Sequence, residues 1–535
     1  MSYDRTFDGI VIGGGHQALV HAAYMARAGH DVLLVERDIE VGGGTKTADP
    51  LGRGFRFNMH SNAHWNITGT PWYNDLALDR YGLEYLLPEY EYGLPRQGKD
   101  PIVLGRNTDR VTELIANVSE NDAEEFRKRR EIGEELVDSI YMAERFDEPL
   151  PADERRRLLE SSDLGQEFLD WTTESAFGLM ADWFESPEVQ LLILHKMTIF
   201  GEPGEGVDNP STKGGIARCF DGTRTYEVSR GGSQQLSYAL EQAFIANGGT
   251  VFTNSAVASI DIEDGGAVGV TLTDGRSFGA KKFMSSGVNP YLTFNQFVGL
   301  ENLEESFATA VEDYDFTDWS TLTVHLALNE APDYIGSDNV PEINEALYSL
   351  VGIESLEDLV VMNQAMMEKE LPPPGFLGSV LSRFDDSLAP DGKHAAFAMT
   401  AGPYDLRGDP DEWLDVFDEV SAQTVDMWTE YATNFDEDAV IDTNVYTPGQ
   451  IPQTNPNMHE GCIMVGELNE DQILSNHFGY RTAIDRLYMC GSSVHPGGGI
   501  NGGAGYVASK VVEHELDREP WWDPVDARAA LEALD

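Results

Sequence analysis

The chain has 535 residues, more than one typical domain holds, and its 41% hydrophobic content can supply a large core. Its 36 basic and 92 acidic residues give a formal net charge of −56. Such a field repels nucleic acid and anionic membrane surfaces, so neither is an expected partner. Either a need for solubility or adaptation to a salty cell interior explains this charge, and the composition leaves both open.

The sequence favours neither a membrane-spanning or secreted protein nor a disulfide redox enzyme. No apolar run reaches the ~18 residues that span a bilayer, and the first residues do not resemble a signal peptide. We therefore predict a cytoplasmic protein without a transmembrane segment. The three cysteines, Cys219, Cys462 and Cys490, are far apart and form no CxxC pair, so redox disulfide chemistry is not expected.

The first predicted unit lies between residues 7 and 44. An apolar run at 9–12 is typical of a buried parallel strand, and residues 18–25 have helical spacing. A second apolar run at 32–35 ends at Glu36. This order of strand, glycine turn, helix, strand and acid is typical of a dinucleotide-binding unit.

The residue type at each key position of this unit suits the binding of a dinucleotide for a physical reason. Gly13 permits the tight turn, and Gly15 lets a pyrophosphate approach the backbone at the helix N-terminus. The third glycine of the usual pattern is Ala18, which is acceptable because the position requires only a small side chain. Glu36 follows Gly13 by 23 residues, near the ~20 expected for a ribose-binding carboxylate. The alternative is a glycine-rich turn that binds no ligand.

A second glycine cluster, 42–44, indicates which dinucleotide binds. It follows Glu36 and Arg37 in the pattern E-[KR]-x(4)-GG. This pattern resembles the flavoproteins that include phytoene desaturases and amine oxidases, in which these glycines let the chain pass close to FAD. Gly44 stands where that group often has arginine or alanine.

The middle of the chain alternates between helical and strand-like regions. Residues 81–225 are expected to be largely helical, with a capping box formed by Ser119 and Asp122. A helix over 231–249 and an antiparallel meander should follow, and residues 301–450 mix strands with an amphipathic helix. The end motifs imply two domains: an FAD-binding domain made of residues 1–80, 226–300 and 451–535, and a substrate domain made of residues 81–225 and 301–450.

The C-terminal region carries a third glycine cluster. Residues 487–490 are strand-like, and residues 504–512 are compatible with a helix. The glycines between them match GxGxxG formally, but no second strand follows, so we do not predict a second dinucleotide site. We expect backbone N–H groups at this helix start to face the electron-rich edge of a flavin.

This region resembles a known family. R-T-x-I-x-x-L-Y-x-C-G-x-x-x-H-P-G-G-G is similar to the C-terminal FAD motif of phytoene desaturase-like flavoproteins, near the carotenoid ketolases and the pyridine nucleotide-disulfide oxidoreductase domain-containing proteins. Segments 54–64, 81–86 and 181–189 also resemble theirs. The resemblance implies an α/β fold with a discontinuous Rossmann-type FAD-binding domain and a mixed α+β substrate domain.

The resemblance also implies FAD as the cofactor and assigns its contacts. It places Gly491 and Ser492 at the ribitol and phosphate, Val257 at the adenine, and residues 499–501 near the flavin ring. The full predicted set of cofactor-binding residues is Gly13, Gly14, Gly15, His16, Gln17, Ala18, Glu36, Arg37, Gly42, Gly43, Gly44, Thr45, Ser61, Val257, Gly491, Ser492, Gly499, Ile500 and Asn501.

Three histidines are the candidate catalytic residues. His60 and His64 lie in the segment that approaches the flavin in relatives, and His495 lies in the C-terminal motif. Each could accept a proton that leaves with a hydride, or could order a loop through hydrogen bonds. No metal site is predicted, because the residues around His60 and His64 do not look helical and no third ligand is evident.

Several aromatic residues could line an apolar substrate cavity or belong to the ordinary core: Trp65, Trp72, Tyr73, Trp171, Phe177, Trp183 and Phe184. We predict an FAD-dependent oxidoreductase that removes a hydride from, or desaturates, an apolar or conjugated organic molecule; the expected partner is thus an apolar or aromatic small-molecule substrate. Its electrons would pass to O₂ or a quinone, since no NAD(P) site is visible. Alternatives are carotenoid desaturation, ketolation or isomerisation, and a non-catalytic scaffold or chaperone-like binder. A homo-oligomer is possible.

Overall fold

A computed structural model describes residues 3–198, 215–316, 319–467, 469–476 and 478–534. The strands in these ranges are β1 (Arg5–Ile12), β2 (Val32–Val35), β3 (Thr47–Ala48), β4 (Phe57–Asn58), β5 (His64–Trp65), β6 (Tyr85–Leu86), β7 (Tyr90–Arg96), β8 (Lys99–Gly105), β9 (Tyr226–Ser229), β10 (Thr250–Phe252), β11 (Val257–Glu263), β12 (Gly266–Leu272), β13 (Ser277–Ser286), β14 (Trp319–Leu328), β15 (Ala346–Val351), β16 (Phe376–Ser379), β17 (His394–Pro403), β18 (Val440–Tyr446) and β19 (Leu487–Met489).

The α-helices are α1 (His16–Arg27), α2 (Pro71–Asp75), α3 (Thr108–Ala116), α4 (Glu120–Leu136), α5 (Met142–Arg145), α6 (Ala152–Leu159), α7 (Asp163–Thr173), α8 (Ala176–Trp183), α9 (Pro187–Thr198), α10 (Gly215–Phe220), α11 (Gln234–Ala246), α12 (Glu305–Glu312), α13 (Leu356–Met367), α14 (Phe417–Tyr431), α15 (Ile451–Thr454), α16 (Gly503–Glu515) and α17 (Ala527–Glu532).

The first sheet joins the two ends of the chain. Its strand order is β10-β2-β1-β13-β12-β11, and β19 pairs with β13. Strands β10, β2, β1, β13 and β19 are parallel, whereas β11 and β12 form the antiparallel meander expected from the turn signals. The strand-turn-helix-strand unit and the C-terminal strand are therefore confirmed. Residues 9–12 of β1 and all of β2 and β19 are buried, as strands covered on both faces should be.

Helices α1 and α16 pack closely against each other on this sheet. A side chain at Gly505 would place its Cβ only 2.0 Å from the carbonyl oxygen of Gln17, so the two helix starts approach at backbone distance. The N-terminal and C-terminal motifs of the sequence consequently form one site.

The second sheet has the order β18-β14-β17-β16-β15-β7-β8 and is antiparallel except where β7 pairs with β15. Strands β7 and β8 fall in a region expected to be largely helical. The two strands pair with each other as a hairpin, and most of their residues are buried. Tyr92 and Leu94 are fully enclosed. Residues 108–198 are then largely helical, as expected.

The expected capping box at Ser119 forms only in part. Ser119 Oγ accepts a hydrogen bond from Asp122 N at 3.1 Å. The Asp122 carboxylate instead accepts hydrogen bonds from the backbone N–H groups of Glu185 and Ser186. This acid thus anchors the turn before α9 rather than the start of its own helix.

The strands of the first sheet come from residues 5–35, 250–286 and 487–489, and those of the second from 90–105 and 319–446. The domain boundaries given above stay a prediction. Among the described residues, no helix is both long and apolar enough to cross a membrane.

Candidate functional site

One cavity of about 780 Å³ extends between the two sheets. At one end it is lined by the glycine loop after β1 and by the residues that follow β2. At the other end it is lined by side chains from α5, α10, β5, β9, β15 and β17. Both sequence motifs and a second, side-chain-rich chamber therefore line one continuous cavity.

The glycine loop presents backbone to this cavity. Gly13 has φ +93°, a left-handed conformation that favours glycine. A Cβ at Gly14 would lie 2.9 Å from Glu36 Oε2, which leaves no room for a side chain. A Cβ at Gly15 would meet no atom within 4 Å, although this residue directly precedes α1 and lines the cavity. The open space at Gly15 is where the sequence predicts a pyrophosphate.

Ala18 is accommodated by a glycine on the neighbouring segment. A Cβ at Gly287, just after β13, would lie 2.6 Å from Ala18 Cβ. Close packing of α1 against the sheet is therefore preserved because Gly287 lacks a side chain where Ala18 has one. The prediction that position 18 requires only a small residue agrees with this packing.

Glu36 lies at the end of β2 with its carboxylate in the cavity wall. Its Oε2 accepts a hydrogen bond from Gly14 N at 2.6 Å, and its Oε1 accepts one from Asp38 N at 2.7 Å. Burial raises the pKa of Glu36, and these two hydrogen bonds oppose the shift. A carboxylate offers about four lone-pair sites, so Glu36 retains acceptor capacity for a sugar hydroxyl.

Gln17 and Asn501 hold the two motifs together. Gln17 Nε2 donates to Asn501 Oδ1 at 3.0 Å, and Gln17 Oε1 accepts from Gly505 N at 3.2 Å. Asn501 Oδ1 also accepts from Gly503 N at 2.7 Å, while its Nδ2 donates to the carbonyls of residues 497–499. Both side chains therefore position the C-terminal glycine loop, a role that the sequence alone did not indicate.

His16 lies in the cavity wall beside the same loop. Burial lowers its pKa to about 4, although a hydrogen bond to the Gly499 backbone opposes this shift. Its Nε2 has no hydrogen-bond partner among the described residues. A neutral imidazole in this wall with one uncommitted nitrogen fits a polar ligand group.

The cavity wall contains most of the predicted cofactor-binding residues: Gly13, Gly14, Gly15, His16, Gln17, Ala18, Glu36, Arg37, Gly43, Gly44, Ser61, Val257, Ser492, Gly499, Ile500 and Asn501. Their contacts with a cofactor stay predictions.

Three predicted cofactor-binding residues lie behind the wall instead. A Cβ at Gly42 would meet the side chain of Gln234. Thr45 is fully buried and hydrogen-bonds Gly42 O and Ser237 Oγ. A Cβ at Gly491 would lie 2.4 Å from the Gly287 carbonyl oxygen. These three residues pack against the loops that form the site, and their contact with a cofactor stays a prediction.

The three candidate catalytic histidines also line the cavity, and they differ in their hydrogen bonds and ring contacts. His495 Nε2 donates to the Glu144 carbonyl oxygen at 2.7 Å, which ties the C-terminal motif to α5. His60 packs edge-on against Tyr446, and burial, with Lys46 and His325 nearby, lowers its pKa to about 4.

His64 differs from the other two histidines in its contacts. Its Nδ1 is 2.6 Å from Tyr85 Oη, which fixes the ring, and its Nε2 has no partner among the described residues. Burial lowers the pKa of His64 to about 3. The imidazole is therefore neutral at physiological pH, and Nε2 carries a lone pair whenever Nδ1 donates to the phenol.

The sequence predicted only a small part of the residues that line the substrate end of the cavity. Of the seven aromatic residues considered above, Trp65 alone lines the cavity in the described structure. Trp72 is fully buried and donates to Asn501 O. Trp171, Trp183 and Phe184 surround Phe220 in the core. The remaining walls are formed by residues that no local motif marks: Tyr141, Arg145, Arg218, Tyr226, Tyr348 and Met399.

These observations fit FAD at the motif end. The open position at Gly15, the uncommitted Nε2 of His16 and the carboxylate of Glu36 would meet a pyrophosphate and a ribose there. Among the described residues the three cysteines are buried and form no disulfide. Burial strongly raises the pKa of the Cys490 thiol, which disfavours the thiolate that disulfide exchange requires.

The chain belongs to the flavin containing amine oxidoreductase family, whose family model matches residues 19–320. It is an FAD-dependent oxidoreductase, as the sequence predicted.

Among curated proteins the chain is similar to a subunit of the limonene dehydrogenase of Castellaniella defragrans, at 30% identity over 99% of both chains. It is also similar to pyridine nucleotide-disulfide oxidoreductase domain-containing protein 2 of Rattus norvegicus, at 26% identity over 95% of this chain and 94% of the relative. A lycopene-forming phytoene desaturase of a Paracoccus species is 23% identical over 93% and 95% of the two chains. The resemblance to phytoene desaturase-like flavoproteins is thus confirmed.

Solved structures support the fold. An oxidoreductase from Methanosarcina mazei matches with a TM-score of 0.59 at 17% identity, covering 95% of this chain and 99% of its own. Cyclohexylamine oxidase from Brevibacterium oxydans matches with a TM-score of 0.54 at 16% identity, covering 96% and 100%. The predicted combination of a discontinuous Rossmann-type domain and a mixed α+β region is confirmed.

Proposed function

We propose that the enzyme removes a hydride from a carbon atom of a small, largely apolar organic molecule, and that with loss of a neighbouring proton this desaturates the substrate. The observation that supports this most directly is the continuous cavity. It connects the cofactor-binding loops to a chamber with walls of Trp65, Tyr348 and Met399. A mainly apolar pocket with a few polar groups is typical of small-molecule sites.

Bound FAD supplies a two-electron acceptor for the hydride. The residues of this chain orient the substrate and handle the proton. We assign proton acceptance to His64 Nε2, because the neutral ring is held by Tyr85 and lines the chamber. The enclosing aromatic walls exclude water from the reacting carbon.

The names of two relatives favour dehydrogenation of a hydrocarbon skeleton, that of the limonene dehydrogenase above all. Carotenoid desaturation, ketolation or isomerisation is the second candidate, supported by the phytoene desaturase similarity. The cavity volume of about 780 Å³ lies in the range of a pocket for one drug-sized ligand. Because the cofactor loops form much of the wall, the space left favours a small substrate over a carotenoid.

We propose O₂ or a quinone as the electron acceptor, since the sequence shows no NAD(P)-binding motif beside the one assigned to FAD. Anaerobically reduced enzyme would be mixed with O₂, a short-chain quinone or NADP⁺, and the return of flavin absorbance followed. Rapid return with O₂ or the quinone supports the proposal. Return with NADP⁺ alone would contradict it.

The reaction itself is tested by anaerobic mixing of the FAD-loaded enzyme with candidate substrates: monoterpenes, aromatic hydrocarbons, primary amines and lycopene precursors. Loss of the flavin's visible absorbance, with an unsaturated product identified by mass spectrometry, supports the proposal. Reduction by amines with formation of an aldehyde would replace it with amine oxidation. A homo-oligomer also stays a prediction, to be checked by light scattering.

A further inference from the structure

Two phenols in the wall of the substrate chamber each have a hydrogen atom to donate. Tyr348 lies in β15 and Tyr141 directly precedes α5, and both residues are buried and line the cavity. The phenol of Tyr348 forms no hydrogen bond with another described residue. Tyr141 Oη accepts from Arg145 Nη1 at 3.0 Å and from Arg218 Nη1 at 3.4 Å, and no described residue accepts a hydrogen bond from it. Both hydroxyl groups can therefore donate to a ligand.

Neighbouring rings and hydrogen bonds hold the two phenols in one part of the chamber. The Tyr348 ring packs against Tyr92 and Tyr226, with ring centres 5.4 and 5.9 Å away. Arg218 connects Tyr226 to Tyr141, because its Nη2 donates to Tyr226 Oη at 3.2 Å and its Nη1 donates to Tyr141 Oη. Tyr226 thus adjoins both phenols. Donors that are fixed before a ligand binds need little reorganisation when it arrives.

The ligand group beside these phenols must accept hydrogen bonds. The two guanidinium groups occupy both acceptor positions of Tyr141 Oη, so this phenol can only donate. A protonated amine offers donors alone, and a pure hydrocarbon offers neither donor nor acceptor, so each would leave the phenol without a partner. A carbonyl oxygen has two lone pairs and no charge to desolvate. Burial, with Glu91 nearby, raises the pKa of Tyr348 above its ordinary value, so its phenol keeps its hydrogen.

A carbonyl group also makes the proposed proton transfer easier. A C–H bond of a plain hydrocarbon is a very weak acid, and a neutral histidine is a weak base for it. Beside a carbonyl, loss of the proton places negative charge on the carbonyl oxygen, where fixed hydrogen-bond donors stabilise it. A carboxylate also accepts hydrogen bonds from phenols, but its own negative charge opposes loss of the neighbouring proton. The chemistry therefore favours a neutral carbonyl compound.

We propose that Tyr141 and Tyr348 donate hydrogen bonds to a carbonyl oxygen of the substrate, which is an apolar ketone or aldehyde desaturated beside its carbonyl group. This inference rests on the proposed function, since it names the class of substrate for that reaction. The α-carbon gives its proton to His64 Nε2, and the electron pair of that C–H bond forms the new C=C bond. The β-carbon gives its hydride, with both electrons, to FAD. The products are an α,β-unsaturated carbonyl compound and reduced flavin.

The first test measures binding without hydride transfer. FAD-loaded protein is reduced anaerobically beforehand, so that it cannot accept a hydride. Three ketones, 4-phenylcyclohexanone, 1-tetralone and 2-decanone, are compared by equilibrium dialysis with phenylcyclohexane, tetralin and decane, the hydrocarbons of the same skeletons. We expect at least one ketone to bind about 10-fold or more tightly than its hydrocarbon. Tyr141→Phe and Tyr348→Phe should each weaken that ketone at least about 5-fold, as expected for one lost hydrogen bond, and the hydrocarbon less than about 2-fold.

The second test separates a chemical role of the phenols from a packing role. In D₂O the same reduced protein should exchange the hydrogens beside the carbonyl of the bound ketone for deuterium, because the phenols and His64 together promote loss of that proton. Tyr348→Phe should lower the exchange rate at saturating ketone at least about 10-fold. A substitution that alters only packing would change affinity and leave this rate unchanged. Mass spectrometry measures the deuterium content.

Tyr404→Phe is the matched control, because Tyr404 lies outside the described cavity wall and no described residue hydrogen-bonds its phenol. It should leave affinity and exchange unchanged. Equal affinity of every ketone and its hydrocarbon, or a ketone preference that survives in the double phenylalanine variant, overturns the proposal. The comparison in the unaltered protein requires no variant, so it holds even if a substitution prevents folding. Binding and exchange without flavin reduction by the oxidised protein would contradict the proposed function and leave this inference supported.

Discussion

The two ends of the cavity are built in different ways. At the cofactor end the wall is mainly backbone, from the loops that contain Gly13–Gly15 and Gly497–Gly499. At the substrate end it is side chains from segments far apart in sequence, such as Trp65, Arg218 and Tyr348. A wall made of backbone requires small residues at fixed spacing along the sequence. A wall made of side chains requires only that the fold bring its residues to the same place, whatever their spacing in sequence. Short local sequence motifs therefore determine which cofactor binds, whereas side chains brought together by the tertiary structure determine which substrate binds.

The largest effect should come from adding a side chain at the cofactor end. In Gly15→Leu the new Cβ meets no protein atom within 4 Å, so the fold has room for it but the pyrophosphate does not. We expect FAD affinity to fall more than 100-fold, with little change in the thermal stability of the FAD-free protein. Affinity is measured by flavin fluorescence on titration of stripped protein with FAD.

Gly479→Leu is the control, since this glycine is exposed and outside the cavity wall. Its Cβ would likewise meet only ordinary contacts. Normal FAD binding by Gly15→Leu would show that the glycine loop is not the pyrophosphate site.

A second prediction concerns the substrate end. His64→Gln should lower the rate constant of anaerobic flavin reduction about 100-fold, because a positioned general base typically contributes that much or more. Substrate affinity should change little. In the wild type the rate should be constant from pH 8 to pH 5, since burial lowers the pKa of His64 to about 3 and the ring stays neutral there. Stopped-flow absorbance measures both quantities.

His495→Gln separates a chemical role from a structural one. His495 Nε2 already donates to the Glu144 carbonyl oxygen, so we expect a smaller loss of rate than in His64→Gln. An equal loss in the two variants, or a wild-type rate in His64→Gln, would remove His64 from the mechanism.

Asn501 connects the two motifs, and its truncation should have a moderate effect. Asn501→Ala removes the acceptor for Gln17 and Gly503 and the donor to the carbonyls of the glycine loop. Each buried group left without a partner costs about 1–3 kcal/mol. We expect about 10-fold weaker FAD binding and an FAD-free protein less stable by about 2–4 kcal/mol in urea.

Asn247→Ala provides the comparison, because within the described part of the chain its side-chain amide hydrogen-bonds only the carbonyl of Ala243, at a helix end. That change should cost about 1 kcal/mol or less and leave FAD binding intact. Equal effects of the two substitutions would show that Asn501 does not organise the loop.

The contrast between the two ends explains what sequence reasoning could reach. The glycine spacing, Glu36 and the C-terminal motif predicted the first sheet and the cofactor, because a dinucleotide imposes the same local geometry wherever it binds. The hairpin at 90–105 was missed because its partner strand, β15, is distant in sequence. Arg145 and Arg218 were missed for the same reason: nothing near either residue shows that Tyr141 brings them together. The assignment of Thr45 to the cofactor stays a prediction, and the sequence did not indicate the hydrogen bond between its hydroxyl and Ser237.

The smallest expected effect concerns acid stability at the cofactor end. His21 is fully buried between Ser285 and Ser509, with ring nitrogens 2.8 and 3.0 Å from the two hydroxyls. Burial lowers its pKa to about 3, whereas an unfolded histidine has a pKa near 6.5. Between these values the unfolded chain binds more protons than the folded one. Stability is therefore complete above about pH 6.5 and falls as the pH falls toward 3.

The expected loss from this one residue is about 2 kcal/mol between pH 7.5 and pH 5, at about 1.4 kcal/mol for each pH unit below 6.5. His21→Asn should lower stability at pH 7.5, because the two serine contacts change, and should flatten the pH dependence by that amount. Urea unfolding of the FAD-free proteins at both pH values gives the difference. Other buried histidines, His64 among them, contribute in the same direction, so only the difference between wild type and variant isolates His21. An unchanged pH dependence in His21→Asn would mean that the imidazole is protonated inside the fold, with the two hydroxyls accepting from both nitrogens.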